Sequence, residues 1–294
     1  MRVGIIGVGI MGSAIARNLV AAGSTVAGYD IDERREAVLS EAGGAPLGSA
    51  AEVARACEIV LTSLPSAEAL DDTVSGTRGL VSAARPELVV VELSTLPIEV
   101  KERNRSTLAA AGSALLDCPL SGTGAQALTR DLAVFASGDE SAFERARPVF
   151  DQFARVTHYL GEFGNGSKMK FVANLLVAIH NVATAEAMVL GIKAGLDPAV
   201  IEKVIASGAG TSRVFELRAP LMAARRYEPP SMKIAVWQKD MKVIGDFAAA
   251  LGVATPLFSA SAPVYDAAIG LKLGAMDTAA VCVVLEQMAG MARG

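Results

Sequence analysis

Apolar residues in the first half of the chain fall into short, β-branched runs separated by longer segments of helical periodicity. Such runs predict strands, here at residues 3–6, 25–29, 59–63, 88–92 and 114–117, with two more at 133–136 and 156–160. Segments between them, such as 12–22 and 98–111, have apolar residues at the spacing of one helix face. This alternation predicts a doubly wound α/β domain, a parallel sheet with crossover helices on both faces.

The pattern changes near residue 164. From there, segments rich in Ala, Leu, Val and Met predict an all-α domain, with helices at roughly 165–195, 198–207, 215–224, 233–251, 257–271 and 277–290. We therefore predict two domains, 1–163 and 164–294. The helix that begins at Gly164 is apolar on nearly all sides, which is typical of a helix buried between domains or in a subunit interface. This apolar surface predicts a homodimer or homotetramer built through residues 164–294.

Composition and charge exclude several classes of protein. The 294-residue chain is 52% hydrophobic, and its net charge of −4 without a Lys/Arg run argues against binding to nucleic acid. Cys57, Cys118 and Cys282 are odd in number and far apart, so that we expect no disulfide or zinc site and a cytoplasmic location. No uninterrupted apolar stretch reaches the ~18 residues that span a bilayer, so we expect no membrane anchor.

A glycine motif follows the first predicted strand. Gly7, Gly9 and Gly12 form GxGxxG, with Ile10 and Met11 between the last two glycines. In a dinucleotide-binding turn, the first glycine permits the turn, the second lets the backbone approach the pyrophosphate, and the third lets helix and strand pack closely. The helix N-terminus then offers free N–H groups to the phosphates. Strand, motif and helix together predict a Rossmann-type domain that binds a nicotinamide dinucleotide. The glycines also argue against a signal peptide at the N-terminus.

The cofactor preference depends on Asp30, which ends the second predicted strand about 20 residues beyond the motif. A carboxylate at this position is expected to bind the ribose hydroxyls and to repel a 2′-phosphate, so NAD is favoured over NADP. Arg34 and Arg35 lie close by and could hold a phosphate instead. NADP therefore stays open as the cofactor.

These motifs, with several later ones in the same order, resemble those of the β-hydroxyacid dehydrogenase family. The resemblance covers essentially the whole chain and rests on segments 7–12, 16–19, 64–66, 92–95, 117–122 and 164–166, on Lys170 and Asn174, and on segment 239–240. It implies an oxidoreductase that transfers a hydride between a nicotinamide cofactor and a small 3-hydroxy acid or its semialdehyde. The implied partner is thus a small-molecule carboxylate.

The resemblance also implies roles for individual residues. Lys170 and Asn174 are implied to be catalytic. Further cofactor contacts are implied for Leu64, Pro65, Thr95 and Lys239, and substrate contacts for Ser121, Gly122, Thr123 and Asp240.

Lys170 has the chemistry that this reaction requires. It lies four residues from Asn174 on a predicted helix, so the two side chains share one face. The lysine ammonium can donate a proton to a carbonyl oxygen during reduction, and its neutral amine can accept one from an alcohol. An ordinary lysine pKa near ~10.4 would make it a poor base at neutral pH, so we expect burial to lower that pKa.

The sequence departs from the family pattern at several positions. These positions are Cys118, Thr123, Arg130, Ala173 and Met232. The resemblance places them around the substrate and leaves the cofactor motifs intact. The departures therefore affect the identity of the substrate more than the type of reaction.

Two other interpretations stay open. An imine reductase on a similar two-domain plan would also bind a dinucleotide and transfer hydride, and a non-catalytic cofactor-binding module would need no Lys170. The retained Lys170, Asn174 and Ser121-Gly122 disfavour the imine reductase, and the retained lysine disfavours the non-catalytic module. The two histidines, His158 and His180, have no carboxylate or cysteine at ligand spacing, so we expect no metal site.

Overall fold

The computed structural model describes residues 1–291, which form two compact units, Met1–Lys170 and the chain from Phe171 onward. The strands of the first unit are β1 Arg2–Ile6, β2 Thr25–Tyr29, β3 Ala45–Pro46, β4 Ile59–Thr62, β5 Val89–Glu92, β6 Ala114–Asp117, β7 Leu120–Ser121, β8 Ala133–Ala136 and β9 Val156–Tyr159. Its helices are α1 Ile10–Ala21, α2 Arg34–Glu41, α3 Ala50–Ala56, α4 Ala67–Ser75, a 3-10 turn Leu80–Ala83, α5 Ile98–Ala110, α6 Gly124–Leu128 and α7 Glu140–Phe153.

The main sheet has six strands in the order β3-β2-β1-β4-β5-β6, and every pair in it is parallel. This is the strand order of a Rossmann domain, so the predicted fold is confirmed. β4 and β5 are buried along their whole length, as expected for strands covered by helices on both faces. The strand order reverses between β1 and β4, and in such sheets the ligand crevice lies beyond the carboxyl ends of the strands at this point.

The strands predicted at 133–136 and 156–160 form a separate, smaller sheet. Its order is β7-β8-β9, with β7 antiparallel and β9 parallel to β8. Its first strand, β7, consists of Leu120 and Ser121. Both residues belong to segment 117–122, which carries predicted substrate contacts.

The second unit is helical, as predicted. Its helices are α8 Asn165–Lys193, which begins in the first unit, α9 Pro198–Ala206, α10 Arg213–Ala223, α11 Ile234–Ala250, α12 Pro256–Gly270, a 3-10 turn Thr278–Ala280 and α13 Val281–Met288. Asp197 caps α9 by accepting a hydrogen bond from the Ala199 N–H, and Ser212 caps α10 in the same way.

Helix α8 is long and apolar enough to cross a membrane by length and composition, with a mean hydropathy of 1.7 over its most apolar window. One such helix is weak evidence, because the core helix of a soluble protein passes the same test. Ala178, Ala185 and Met188 on α8 are fully buried, and 39% of the apolar window is buried in all.

Candidate active site

The glycine motif forms the turn between β1 and α1, at the point where the strand order reverses. Gly7 has a φ of 88°, and a Cβ there would lie 2.2 Å from the Ser63 carbonyl oxygen. A Cβ on Gly12 would lie 2.0 Å from the Gly7 carbonyl oxygen, whereas a Cβ on Gly9 would meet no atom within 4 Å. The packing of the turn therefore requires glycine at positions 7 and 12, whereas position 9 has open space beside its Cα.

The start of α1 fits the phosphates of a dinucleotide. Gly9 is its N-cap residue, and no side chain caps the first-turn N–H groups. Ile10 is exposed and Met11 half-buried at this end of the helix. Uncapped N–H groups beside open space are the arrangement that binds a pyrophosphate at a helix N-terminus.

Asp30 lies directly beyond β2 and holds the glycine turn. Its Oδ2 accepts a hydrogen bond from the Val8 N–H at 2.6 Å, and its Oδ1 accepts one from the Asp32 N–H at 2.9 Å. Arg34 donates two hydrogen bonds of 2.8 Å to Asp32, and these keep the pKa of the half-buried Asp32 carboxyl below its usual value. The charge of Arg34 is thus already matched by a carboxylate.

The loops after β4 and β5 are joined by a side chain. β4 and β5 pair in register, with Thr62 opposite Glu92, so their following loops begin side by side. The Leu64 N–H donates to the buried Ser94 hydroxyl at 2.8 Å. The structure therefore brings together the predicted cofactor residues Leu64 and Pro65 on one loop and Thr95 on the other.

Beneath these loops lies a fully buried charge cluster. Lys101 Nζ, on α5, is 2.6 Å from Glu92 Oε2 and 2.8 Å from Asp117 Oδ1, and all three side chains have no exposed surface. Burial alone would lower the pKa of Lys101, but the attraction of the Asp117 and Glu92 carboxylates outweighs it and raises the pKa above its usual value. Lys101 also donates to the Ser94 carbonyl oxygen at 2.7 Å.

Asp117 connects this cluster to the first turn of α8. Its Oδ1 accepts a hydrogen bond from the Ser167 hydroxyl at 2.7 Å, and its Oδ2 accepts one from the Ser167 N–H at 2.8 Å. The Ser137 hydroxyl accepts the Gly166 N–H at 2.9 Å and lies 3.3 Å from Asp117 Oδ2. Lys170 follows on the same helix and is 7% exposed. The proposed catalytic lysine is thus on a helix whose start is fixed to the end of β6.

The predicted substrate segment runs from Asp117 into β7. Gly122 has a φ of 138°, and a Cβ there would lie 2.5 Å from a methyl carbon of Leu132. The Thr123 hydroxyl caps α6, in a capping box with Gln126 whose side-chain oxygen accepts the Thr123 N–H at 3.0 Å. Ser121 is half-buried beside this cap.

In the second unit, the structure brings together three of the predicted site residues. Asn174 on α8 is buried, and its Nδ2 donates to Asp240 Oδ2 at 3.0 Å. Lys239 Nζ lies 3.6 Å from Asp240 Oδ1, and Asp240 is almost fully buried on α11. The two carboxylate oxygens of Asp240 therefore contact the Asn174 amide and the Lys239 ammonium.

The sequence did not indicate the roles of Lys101, Ser137 and Ser167. The helix predicted at 98–111 is present as α5, but its buried residues are Lys101, Asn104 and Leu108, so its inward face is mostly polar and the apolar spacing did not identify it. The sequence did contain one signal. Lys101 lies on a helix between two strands, and those strands end at Glu92 and Asp117. Among residues 1–291, no group of three or more His, Cys, Asp or Glu is arranged to hold a metal ion. The three cysteines are free and buried.

The fold and this site define a nicotinamide-dependent oxidoreductase. Residues 2–161 match the model of the NAD binding domain of 6-phosphogluconate dehydrogenase, and residues 164–285 match that of the NAD-binding region of NADP-dependent 3-hydroxyisobutyrate dehydrogenase. The chain belongs to the β-hydroxyacid dehydrogenase family.

Known proteins are similar over nearly the whole chain. L-threonate dehydrogenase from Cupriavidus necator is 33% identical over 95% of this chain and 94% of its own. 2-Hydroxy-3-oxopropionate reductase from Escherichia coli is 29% identical over 98% of both chains. The crystal structure of a 3-hydroxyisobutyrate dehydrogenase from Salmonella typhimurium superposes with a TM-score of 0.87 at 30% identity, covering 97% of this chain and 99% of its own.

Proposed function

We propose that this protein is an NAD-preferring dehydrogenase or reductase of small 3-hydroxy acids and their semialdehydes, with Lys170 as the proton-transfer residue. The observation that carries the proposal is the position of Lys170. It is 7% exposed and lies three residues after Ser167, which is bonded to Asp117 at the start of the predicted substrate segment. A buried ammonium on a fixed helix is suited to donating one proton at a defined point.

The substrate class is supported by what the relatives act on. L-Threonate, 2-hydroxy-3-oxopropionate and 3-hydroxyisobutyrate, which appear in the relatives' names, are all small carboxylates that carry a hydroxyl or an aldehyde group. In this chain the Ser121 hydroxyl and the Gly122 N–H are the groups proposed to bind that carboxylate. Thr123 contributes by fixing the turn, since its hydroxyl caps α6.

The proposed cofactor site uses Gly7, Gly9 and Gly12 with the N–H groups of the first turn of α1 for the phosphates. Leu64, Pro65 and Thr95 would line the nicotinamide end, and Lys239 is proposed as a further cofactor contact. When bound, the nicotinamide supplies or accepts the hydride. Lys170 moves the proton on the substrate oxygen, and Asn174 orients that oxygen. Asp240 holds Asn174 in place and, as a proposed substrate contact, limits the space for the substrate.

The preference for NAD rests on Asp30. Its carboxylate is held at the end of β2 by two backbone N–H groups, where it would bind ribose hydroxyls and repel a 2′-phosphate. Because Arg34 is engaged with Asp32, it is a poor alternative ligand for that phosphate. We expect kcat/KM to favour NADH over NADPH by about tenfold, corresponding to roughly 1–2 kcal/mol. A preference for NADPH would contradict this and would point to Arg34 or Arg35.

The test of the central assignment compares two lysines of the same helix. Lys170→Ala is expected to lower kcat by a factor of about 10²–10⁴ while leaving the affinity for NADH nearly unchanged. Lys168→Ala is the matched control, because Lys168 is exposed and bonds only to Asn165 at 3.1 Å among the contacts of the described residues. Its kcat should stay within about twofold of the parent enzyme.

The assay should use NADH with a panel of small aldehydes, ketones and imines, and NAD with L-threonate and 3-hydroxyisobutyrate. Near-normal turnover of Lys170→Ala on the best substrate would refute the role of Lys170. Turnover restricted to imines would favour the imine reductase interpretation, and no turnover with tight NADH binding would favour a non-catalytic module.

We also propose a homodimer or homotetramer in the cytoplasm, without nucleic acid or membrane partners. Several large apolar side chains of the second unit are exposed, including Val172, Leu176, Leu190, Val236 and Leu257. Such side chains are typical of a surface covered by another subunit. A monomeric mass by light scattering at micromolar concentration would contradict the proposed assembly.

A further inference from the structure

The buried cluster of Lys101, Glu92 and Asp117 has no part in the proposed proton transfer. It contains two carboxylates and one ammonium, and none of the three side chains is exposed. Charges removed from water cost several kcal/mol each, and well-packed apolar residues are often as stable as a buried ion pair. Stability alone is therefore a weak explanation for this cluster.

Each member of the cluster fixes a loop at the carboxyl end of the sheet. Glu92 Oε1 accepts the Ser94 N–H at 2.9 Å, and Lys101 donates to the Ser94 carbonyl oxygen at 2.7 Å. Ser94 in turn holds the loop after β4 through the Leu64 N–H. The cluster thus holds both loops that carry the proposed nicotinamide-side residues.

Asp117 connects the cluster to the start of α8. Each of its oxygens accepts a hydrogen bond from Ser167, one from the hydroxyl and one from the N–H. Ser167 and Lys170 are three residues apart on one helix, so both belong to its first turns and lie on the same side. A displacement of Ser167 would therefore displace Lys170 with it.

We propose that Lys101, Asp117 and Ser167 are positioning residues, which hold the first turn of α8 and the loop that carries Thr95 in one fixed arrangement. Lys101 acts through the two carboxylates and touches neither substrate nor cofactor. The inference rests on the proposed function, because its importance for catalysis depends on Lys170 moving the proton. Its structural content, that the Ser167–Asp117 bond fixes the start of α8, can be tested separately.

The experiment compares two buried serines. Ser167→Ala removes the hydroxyl that donates to Asp117 Oδ1 and keeps the N–H that donates to Oδ2. Ser113→Ala is the matched control, because Ser113 is also buried and its hydroxyl both accepts from and donates to the Arg85 backbone. Ser113 precedes β6, whereas Asp117 ends it, so the control loses similar bonds at the opposite end of the strand.

For Ser167→Ala we expect kcat to fall about tenfold, the Kd for NADH to stay within about twofold, and the primary isotope effect with NADH deuterated at C4 to rise. A mere loss of folded enzyme would lower kcat without changing that isotope effect. Ser137→Ala, which removes the acceptor of the Gly166 N–H, should give the same result in weaker form. Ser113→Ala should leave all three quantities unchanged.

Hydrogen exchange gives a readout that needs no activity. Amides of the first turn of α8 should exchange about fivefold faster in Ser167→Ala, as expected for one lost hydrogen bond, and at the parent rate in Ser113→Ala. Unchanged exchange, or equal effects of the two serine variants on kcat and the isotope effect, would overturn the inference. If Lys170→Ala stayed active while exchange responded as expected, the role of Lys170 would fail and the structural connection would stand.

Discussion

Replacing Lys101 with methionine tests the energetics of the buried cluster directly. At an effective dielectric constant of ~20, each contact of 2.6–2.8 Å with Glu92 and Asp117 contributes a gross attraction of about 6 kcal/mol, most of which offsets the cost of burying three charges. Lys101→Met removes this attraction and leaves two carboxylates in the interior. We expect the first unit to lose about 3–5 kcal/mol of its free energy of unfolding at pH 7.

The loss should depend on pH in a defined direction. The raised pKa of Lys101 means that its stabilising effect is complete below the ordinary lysine pKa near ~10.4 and is lost only as the pH rises beyond it. The difference in stability between the parent and Lys101→Met should therefore stay nearly constant from about pH 7 to about pH 9. It should narrow only as the pH rises beyond the ordinary lysine pKa.

The assay must report on unfolding of the first unit. Tryptophan fluorescence does not, because the chain's single tryptophan, Trp237, lies in the second unit. Cys57 and Cys118 are buried in the first unit, and burial raises the pKa of the Cys57 thiol to about 11 and that of Cys118 well above its usual value. Cys282 lies in the second unit, so labelled Cys57 and Cys118 must be identified on their own peptides by mass spectrometry. Pulsed thiol labelling read in this way across a urea series measures unfolding of the first unit. Lys168→Met is the surface control. A loss within about 0.5 kcal/mol of that control, or one that narrows between about pH 7 and about pH 9, would refute the reasoning.

Further predictions concern the turns. Gly9→Ala should keep the parent stability within about 0.5 kcal/mol and weaken NADH binding, because its Cβ meets only the space proposed for the pyrophosphate. Gly12→Ala should destabilise the first unit by more than about 2 kcal/mol in the same urea assay, because its Cβ would lie 2.0 Å from the Gly7 carbonyl oxygen. Thr123→Ala should cost about 1 kcal/mol through loss of the α6 cap, whereas Thr123→Ser should not.

The main sheet could be predicted because its strands are buried on both faces. Ile59–Thr62 and the three valines that open Val89–Glu92 are unbroken apolar or β-branched runs for this reason. The two-residue strands Ala45–Pro46 and Leu120–Ser121 were missed, since they are too short to have a period. Periodicity also does not identify a strand's partner, so the pairing of β8 with β7 and β9 in a separate sheet could not be read from the sequence.

The cofactor half of the candidate site could be predicted because it is local in the sequence. The glycine turn, the start of α1 and Asp30 lie within the first βαβ unit, where each residue's role follows from the strand or helix beside it. The buried cluster could not, because Lys101 contacts Glu92 and Asp117 only once β5, β6 and α5 have packed. No spacing rule connects residues of a helix to the ends of two strands.

The charges at the carboxyl end of the sheet explain how an anionic ligand can approach it. Asp30 is engaged by two backbone N–H groups, and Glu92 and Asp117 are engaged by Lys101 and Ser167, so each of these carboxylates has its partners within the protein. Glu92 and Asp117 also have no exposed surface, and the Lys101 ammonium lies within 2.8 Å of both. This ammonium offsets part of the repulsion that the two carboxylates would otherwise exert on a bound carboxylate. An anionic ligand therefore meets carboxylates that are already paired within the protein.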